Sequence, residues 1–326
     1  MLPGENELCS ATRFPRVMPW GCAAARSAGV RVWAGQLLAG LAAMVALAGG
    51  QAGRLRRAYS EPAPGIADID VLVGPADLSA VNRPTIEIAV FGDSSVAGVG
   101  VRHKAEALPV QLAQQLADLS GRQVHVLCYG VSGATTRDVL EQQVARAEAG
   151  ADVSVLIVGT NDVLRLTPPA DLARSTTALF AVLSNKSTPV IFSSLPEFRA
   201  MRVLPHPLLA GAITYARVVS AIQRTAAAGN NLVHFVDVRR ALGREFLAQG
   251  RYMSPDQFHP SAEGYGRIAE TLAPAVFAAA VPERLVAPSL EQERSGGHLL
   301  VSRARPPKVD AQVPSAGWAG RSRARR

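Results

Sequence analysis

Ile86-Glu87-Ile88-Ala89-Val90-Phe91-Gly92-Asp93-Ser94-Ser95 is an apolar, partly β-branched run that stops abruptly on a glycine, an acid and two hydroxyls. Similar runs recur at Val124–Tyr129, Val153–Val158, Val190–Ser193 and Leu232–Val236. Each is continuous rather than alternating, as expected of strands in a parallel sheet that is covered on both faces. Between and after them lie helix-like stretches near 105–119, 136–148, 169–184, 214–228 and 262–280. Short strands alternating with longer helices predict a three-layer α/β/α domain, beginning near Thr85 and ending near Ala280.

In such sheets ligands bind beyond the carboxyl ends of the strands. Four short segments fall at that edge in a fixed order: Phe91–Ser95, Val131–Thr135, Gly159–Asp162 and Asp256–Pro260. The first three follow strands, and the fourth precedes the last helix. A serine hydroxyl is a poor nucleophile until a base takes its proton, and histidine suits that task near neutrality. Of the six histidines, His259 alone has a carboxylate three residues earlier, Asp256, and stands in a turn leading into a helix. Asp256 can then accept from one ring nitrogen while the other faces Ser94. Acyl transfer also needs donors for the oxyanion of its tetrahedral intermediate. Gly133 can offer a backbone N–H, Asn161 its side-chain amide and Ser94 its own N–H.

On these residues the chain resembles the SGNH (GDSL-type) hydrolase superfamily, across roughly residues 85–280. The family's Ser, Gly, Asn and His fall on Ser94, Gly133, Asn161 and His259, with the triad Asp on Asp256. The resemblance implies a flavodoxin-like parallel sheet, the SGNH hydrolase fold, and ester hydrolysis through an acyl-enzyme on Ser94, with no cofactor and no metal. Two departures stand out. Ser95 replaces the Leu of the family's name motif, and Cys128-Tyr129 stands where Asn often precedes the second block. The expected substrates are carboxylic esters of short to medium acyl chains. An acyltransferase, a thioesterase or lysophospholipase on the same residues, and a non-catalytic lipid- or surface-binding module are the alternatives.

Competing motifs fit less well. Gly92–Gly100 is glycine-rich and follows a strand, yet it lacks the Gly-Lys-Ser/Thr of a phosphate loop and the third glycine of a dinucleotide fingerprint. Asp93 and Asp162 each adjoin a better-assigned residue and are read as groups that order their loops. The segment Leu195–Ile213 carries Met201, Val203, Leu204, Leu208 and Leu209 among Pro196, Pro205 and Pro207. It is expected either to line an acyl pocket or to cover the sheet.

The net charge of +8 is unevenly spread: +5 over 1–57, +5 over 283–326 and −2 over the part between. A mildly acidic folded part argues against nucleic-acid binding, which needs clustered Lys and Arg. Three cysteines, Cys9, Cys22 and Cys128, imply no disulfide framework or metal cluster. Cys128 closes an apolar run and reads as a small buried hydrophobe. From Val32 to Gly53 the chain is uncharged, with Arg26 and Arg31 before and Arg54, Arg56 and Arg57 after. That length predicts a single N-terminal hydrophobic helix at 30–53, acting as a transmembrane or signal anchor. A signal peptide cleaved near Ala46-Leu47-Ala48, giving an exported or cell-envelope protein, is the rival. Residues 1–29 are expected to be irregular, 54–84 a linker and 281–326 a basic disordered tail. The expected partners are a small-molecule or lipid ester and, through the helix, a membrane. No obligate protein partner and no nucleic acid are expected.

Overall fold

The structure is a computed structural model that describes residues 36, 39–54, 64–76, 83–147 and 150–281. Six strands form one sheet: β1 Asp70–Val73, β2 Ile86–Gly92, β3 Val124–Cys128, β4 Val153–Ile157, β5 Val190–Ser193 and β6 Val233–Val236, in the order β1-β3-β2-β4-β5-β6. Strands β2 to β6 are parallel, and β2, carrying the decisive sequence, lies between β3 and β4.

The covered-sheet expectation follows from the side chains. Ile86, Ile88 and Val90 of β2 join one buried cluster with Val124, Val126, Val153 and Val155. Ala89 and Phe91 point the other way, into a second cluster with Leu156, Val190 and Phe192. The first face is covered by α1 (Leu108–Ser120), α5 (Val238–Ala248) and α6 (Ala262–Ala280). The second is covered by a helical segment over residues 136–146, by α3 (Pro169–Leu183) and by α4 (Leu208–Ala228), while α2 (Thr160–Arg165) sits at the strand-end edge. Helix α1 shows why these stretches are helical. Pro109 stands in its first turn, Leu108, Leu112 and Leu116 repeat every four residues on the buried face, and Gly121 ends it at φ 63°.

Three expectations need correction. The sheet is mixed rather than parallel, because β1 pairs antiparallel with β3 at the edge. This strand falls in the segment expected to be linker: four residues among prolines give too short a pattern. It is held by contacts from elsewhere, among them the Cys128 N–H donating to the Ile69 carbonyl at 2.9 Å and Asp70 meeting the His125 ring at 2.6 Å. The stretch expected as one helix near 136–148 is instead a short α-turn, Thr136–Asp138, running into a π-helical turn, Val139–Gln143, and a 3-10 turn, Val144–Arg146.

The N-terminal helix expected at 30–53 falls only partly among the described residues. Residues 39–54 are helical, but no helix among the described residues is long and apolar enough to cross a membrane. The stretch is rich in Ala and Gly, and Gln51 turns a polar side chain to the domain: its amide nitrogen donates to the His206 carbonyl at 2.8 Å, and its oxygen accepts from the Leu208 N–H at 3.4 Å. The remainder of the expected span, the segment 1–29 and the basic tail beyond 281 lie outside the described residues.

Candidate active site

The chain leaves β2 through Gly92, where a Cβ would lie 2.1 Å from the Ile157 carbonyl oxygen of the neighbouring strand. Only glycine fits that approach. A tight turn follows, in which the N–H groups of Val96 and Ala97 both donate to the Asp93 carbonyl, at 3.1 and 3.0 Å. It leaves Ser94 just past the strand end, 8% exposed.

His259 arrives from the opposite direction, on the loop before α6. That loop is pinned at both ends. A bridge joins Met253 to Pro260, the Ser254 N–H donates to the His259 carbonyl at 2.8 Å, and the Ser261 hydroxyl caps α6 by accepting from the Gly264 N–H. The loop folds around a single carboxylate. Asp256 Oδ1 accepts from the Ser254 hydroxyl at 2.6 Å and from the backbone N–H groups of Phe258 and His259 at 2.8 and 2.9 Å. Its Oδ2 faces His259 Nδ1 at 2.6 Å, and His259 Nε2 lies 2.9 Å from Ser94 Oγ. Burial alone would raise the Asp256 carboxyl. The hydrogen bonds from Ser254, the His259 ring and the two backbone N–H groups outweigh it and hold the group at about 2. Asp256 is therefore ionised at neutral pH, and its oxygens act as acceptors.

The second and third segments meet at the same edge. Gly133 adopts φ 82°, a conformation that favours glycine, although a Cβ would meet only the Arg165 guanidinium, at 3.5 Å. Neither the Gly133 N–H nor the Ser94 N–H donates a hydrogen bond to an acceptor among the described residues. Asn161 lies in the first turn of α2, and its amide nitrogen donates to the Ala134 carbonyl at 3.0 Å, which leaves that amide a second N–H. Ser94, Gly133, Asn161, Asp256 and His259 are thus brought to one edge, as the sequence placed them. Such a set can take a proton from a hydroxyl, stabilise the resulting imidazolium and offer donors to a developing oxyanion.

The two flanking acids sit inside the scaffold. Asp93 is buried, accepts from the Ser95 N–H at 3.0 Å and is pushed up to about 6, chiefly by burial. Asp162, fully buried, ties the third segment to the second: its Oδ2 accepts from the Thr136 N–H and hydroxyl at 2.9 and 2.8 Å, and burial raises its carboxyl.

Sequence reasoning missed several supports. Gln143 is fully buried, and its amide holds both backbone groups of Gly92, donating to the carbonyl at 2.7 Å and accepting from the N–H at 3.0 Å. The π-helical turn brings it there, so no helical periodicity could have signalled it. Gln223 of α4 donates to the Val158 carbonyl at 3.1 Å, and Arg165 to the Gly133 carbonyl at 2.7 Å. A cleft with about 860 Å³ of space, its open mouth included, touches Ser94 and His259. Part of the segment expected at the substrate, from Leu195 to Met201, lines it, whereas Val203, Leu204, Leu208 and Leu209 pack into a cluster with Val163 and Leu172. Cys128 is inert by environment: its thiol meets the Val96 carbonyl at 3.3 Å, and burial pushes it up to about 11.

A sheet of this topology, with the four segments gathered at its carboxyl edge, is that of an α/β hydrolase of the SGNH type acting on ester bonds. A model of the GDSL-like lipase/acylhydrolase family matches residues 90–267, more than half of the chain, and the chain belongs to that family. The GDSL-like esterase Rv1075c of Mycobacterium tuberculosis is 27% identical over 245 residues, covering 71% of this chain and 77% of that protein. Among solved structures, TesA has 22% identity and a TM-score of 0.48, covering 59% of this chain and 99% of its own. The lipase/acylhydrolase from Enterococcus faecalis has 21% identity and a TM-score of 0.47, covering 59% and 96%.

Proposed function

We propose that this protein is a serine esterase that hydrolyses carboxylic esters of short to medium acyl chain through an acyl-enzyme on Ser94. His259 Nε2 takes the Ser94 proton as Oγ attacks the ester carbonyl. The carbonyl oxygen, now negative, is met by the N–H groups of Ser94 and Gly133 and by the Asn161 amide. Asp256 holds the His259 ring with Nδ1 protonated and stabilises the imidazolium. As the tetrahedral intermediate collapses, the bond to the alcohol oxygen breaks and Nε2 protonates that oxygen. Water, deprotonated by the same nitrogen, then releases the acid and restores Ser94. No metal or cofactor has a part in these steps.

The observation that carries the reading is the unbroken series Asp256–His259–Ser94, with contacts of 2.6 and 2.9 Å. Ser94→Ala is expected to abolish turnover of p-nitrophenyl butyrate and labelling by a fluorophosphonate while leaving thermal melting in place. Undiminished hydrolysis by that variant sinks the assignment. The uncharged stretch Val32–Gly53 supports delivery of the enzyme to the cell envelope, which N-terminal sequencing of the mature protein and fractionation would test.

A further inference from the structure

The general acid restricts where the two halves of an ester can lie. His259 Nε2 must reach the departing alcohol oxygen, so the alcohol's carbon skeleton continues on the His259 side of Ser94, away from the oxyanion donors. The cleft is lined by Ser94 and His259 but by neither Gly133 nor Asn161. Of the three oxyanion donors it meets only Ser94, while His259 and its neighbours Met253 and Phe258 line it, which sets it on the side of the leaving group.

Its walls are largely apolar, with Arg239 and Thr160 among the polar exceptions. Leu195 and Met201 come from the segment after β5, Leu242 and Phe246 from α5, and Met253 and Phe258 from the loop that carries the histidine. Several polar groups in the lining already have protein partners. The Ser193 and Ser194 hydroxyls donate to main-chain carbonyls, at 3.2 and 3.3 Å, and Glu197 is engaged by the Arg199 guanidinium at 2.9 and 3.0 Å. A lining of this kind suits an apolar occupant. Gly243 helps to keep it open: on the inner face of α5 it carries no side chain, and the nearest atom to a Cβ there would be Cβ of Glu197 at 3.6 Å.

Resting on the esterase reading above, we infer that this cleft receives the alcohol part of the ester and that the enzyme prefers esters of apolar alcohols, an aliphatic chain or an aromatic ring. By microscopic reversibility, an apolar alcohol bound in the same place is positioned to give its proton to His259 Nε2 and to take the acyl group from Ser94, forming a new ester in place of the acid.

Two substrate series separate the halves of the molecule, each followed by acid release at constant pH: ethyl, butyl and hexyl acetate vary the alcohol, and ethyl acetate, butyrate and hexanoate vary the acyl part. Along the alcohol series kcat/KM should rise by up to about four-fold per methylene, the fold-change equivalent to about 0.8 kcal/mol per buried CH2. Gly243→Leu fills the cleft and should flatten the alcohol series while the acyl series keeps its slope. Met201→Ala, which enlarges the cleft, should move the optimum to longer alcohols, and a melting curve establishes that each variant is folded. A flat alcohol series in the wild type, or a folded Gly243→Leu variant that changes only the acyl series, overturns the inference. Ser94→Ala run in parallel distinguishes the two levels: hydrolysis that survives it removes the esterase reading, whereas Ser94-dependent hydrolysis with no alcohol preference removes only the alcohol cleft.

Discussion

Replacing Asp256 by Asn changes one atom and should remove most of the activity. The direction follows from how the carboxylate is used. Oδ1 faces three donors, the Ser254 hydroxyl and the N–H groups of Phe258 and His259, so only an oxygen is tolerated there. The new amide nitrogen must then take the Oδ2 position, 2.6 Å from His259 Nδ1, and present that ring nitrogen with a donor. His259 can satisfy it only by leaving Nδ1 unprotonated, which puts its proton on Nε2, facing Ser94 Oγ at 2.9 Å. The base has lost its lone pair toward the nucleophile, and the imidazolium has lost its carboxylate. A wrong tautomer in a serine hydrolase of this kind lowers kcat by about 10⁴, equivalent to about 5.5 kcal/mol of transition-state stabilisation. Because Asp256 does not line the cleft, KM for p-nitrophenyl butyrate should move little. The loop keeps all three acceptor contacts, so melting of Asp256→Asn should stay close to wild type. Asp256→Ala strands those donors and should melt earlier. A loss of less than ten-fold in kcat with Asp256→Asn, or a loss matched by unfolding, refutes the tautomer argument.

Two other perturbations read the scaffold. Gln143→Leu preserves size but leaves the Gly92 N–H without its side-chain partner, while the carbonyl keeps the Val131 N–H at 3.1 Å, which should cost about 1–3 kcal/mol and lower the urea midpoint; an unchanged midpoint would mean water replaces the amide. His125 on β3 bridges Glu87 of β2 and Asp70 of β1, each at 2.6 Å, and its pKa is raised above 6.5, first by the Asp70 contact, with Glu87 adding to it against burial. A raised folded pKa gives stability that is fully present below the unfolded value and is lost as pH rises through the folded one. His125→Gln should therefore lower the melting temperature more at pH 6 than at pH 9, and an equal loss at both would exclude the charged bridge.

What was legible in the sequence was whatever depends on local composition or on strand-end position. Five of the six strands appear as largely apolar runs, most plainly β2, β4 and β5, whose residues are buried on both faces, and α6 is found at 262–280 as its pattern predicts. The candidate site was legible for a different reason: each of its residues lies at the end of a strand or the start of a helix, so a one-dimensional order maps directly onto one edge of a sheet. Elements held by distant partners were not legible. Strand β1 is four residues long and owes its place partly to Asp70 reaching across to His125, 55 positions later. Gln143 meets Gly92 from a π-helical turn whose five-residue spacing breaks any pattern built on 3.6. Helix α5 has a charged first turn, Val238-Arg239-Arg240, and buries only Val238, Leu242 and Gly243, a stripe too narrow for periodicity to single out. Yet α5 forms one wall of the cleft. The candidate catalytic residues are therefore written in the chain's local grammar, whereas the lining of the cleft emerges only when α5, the segment after β5 and the histidine loop converge.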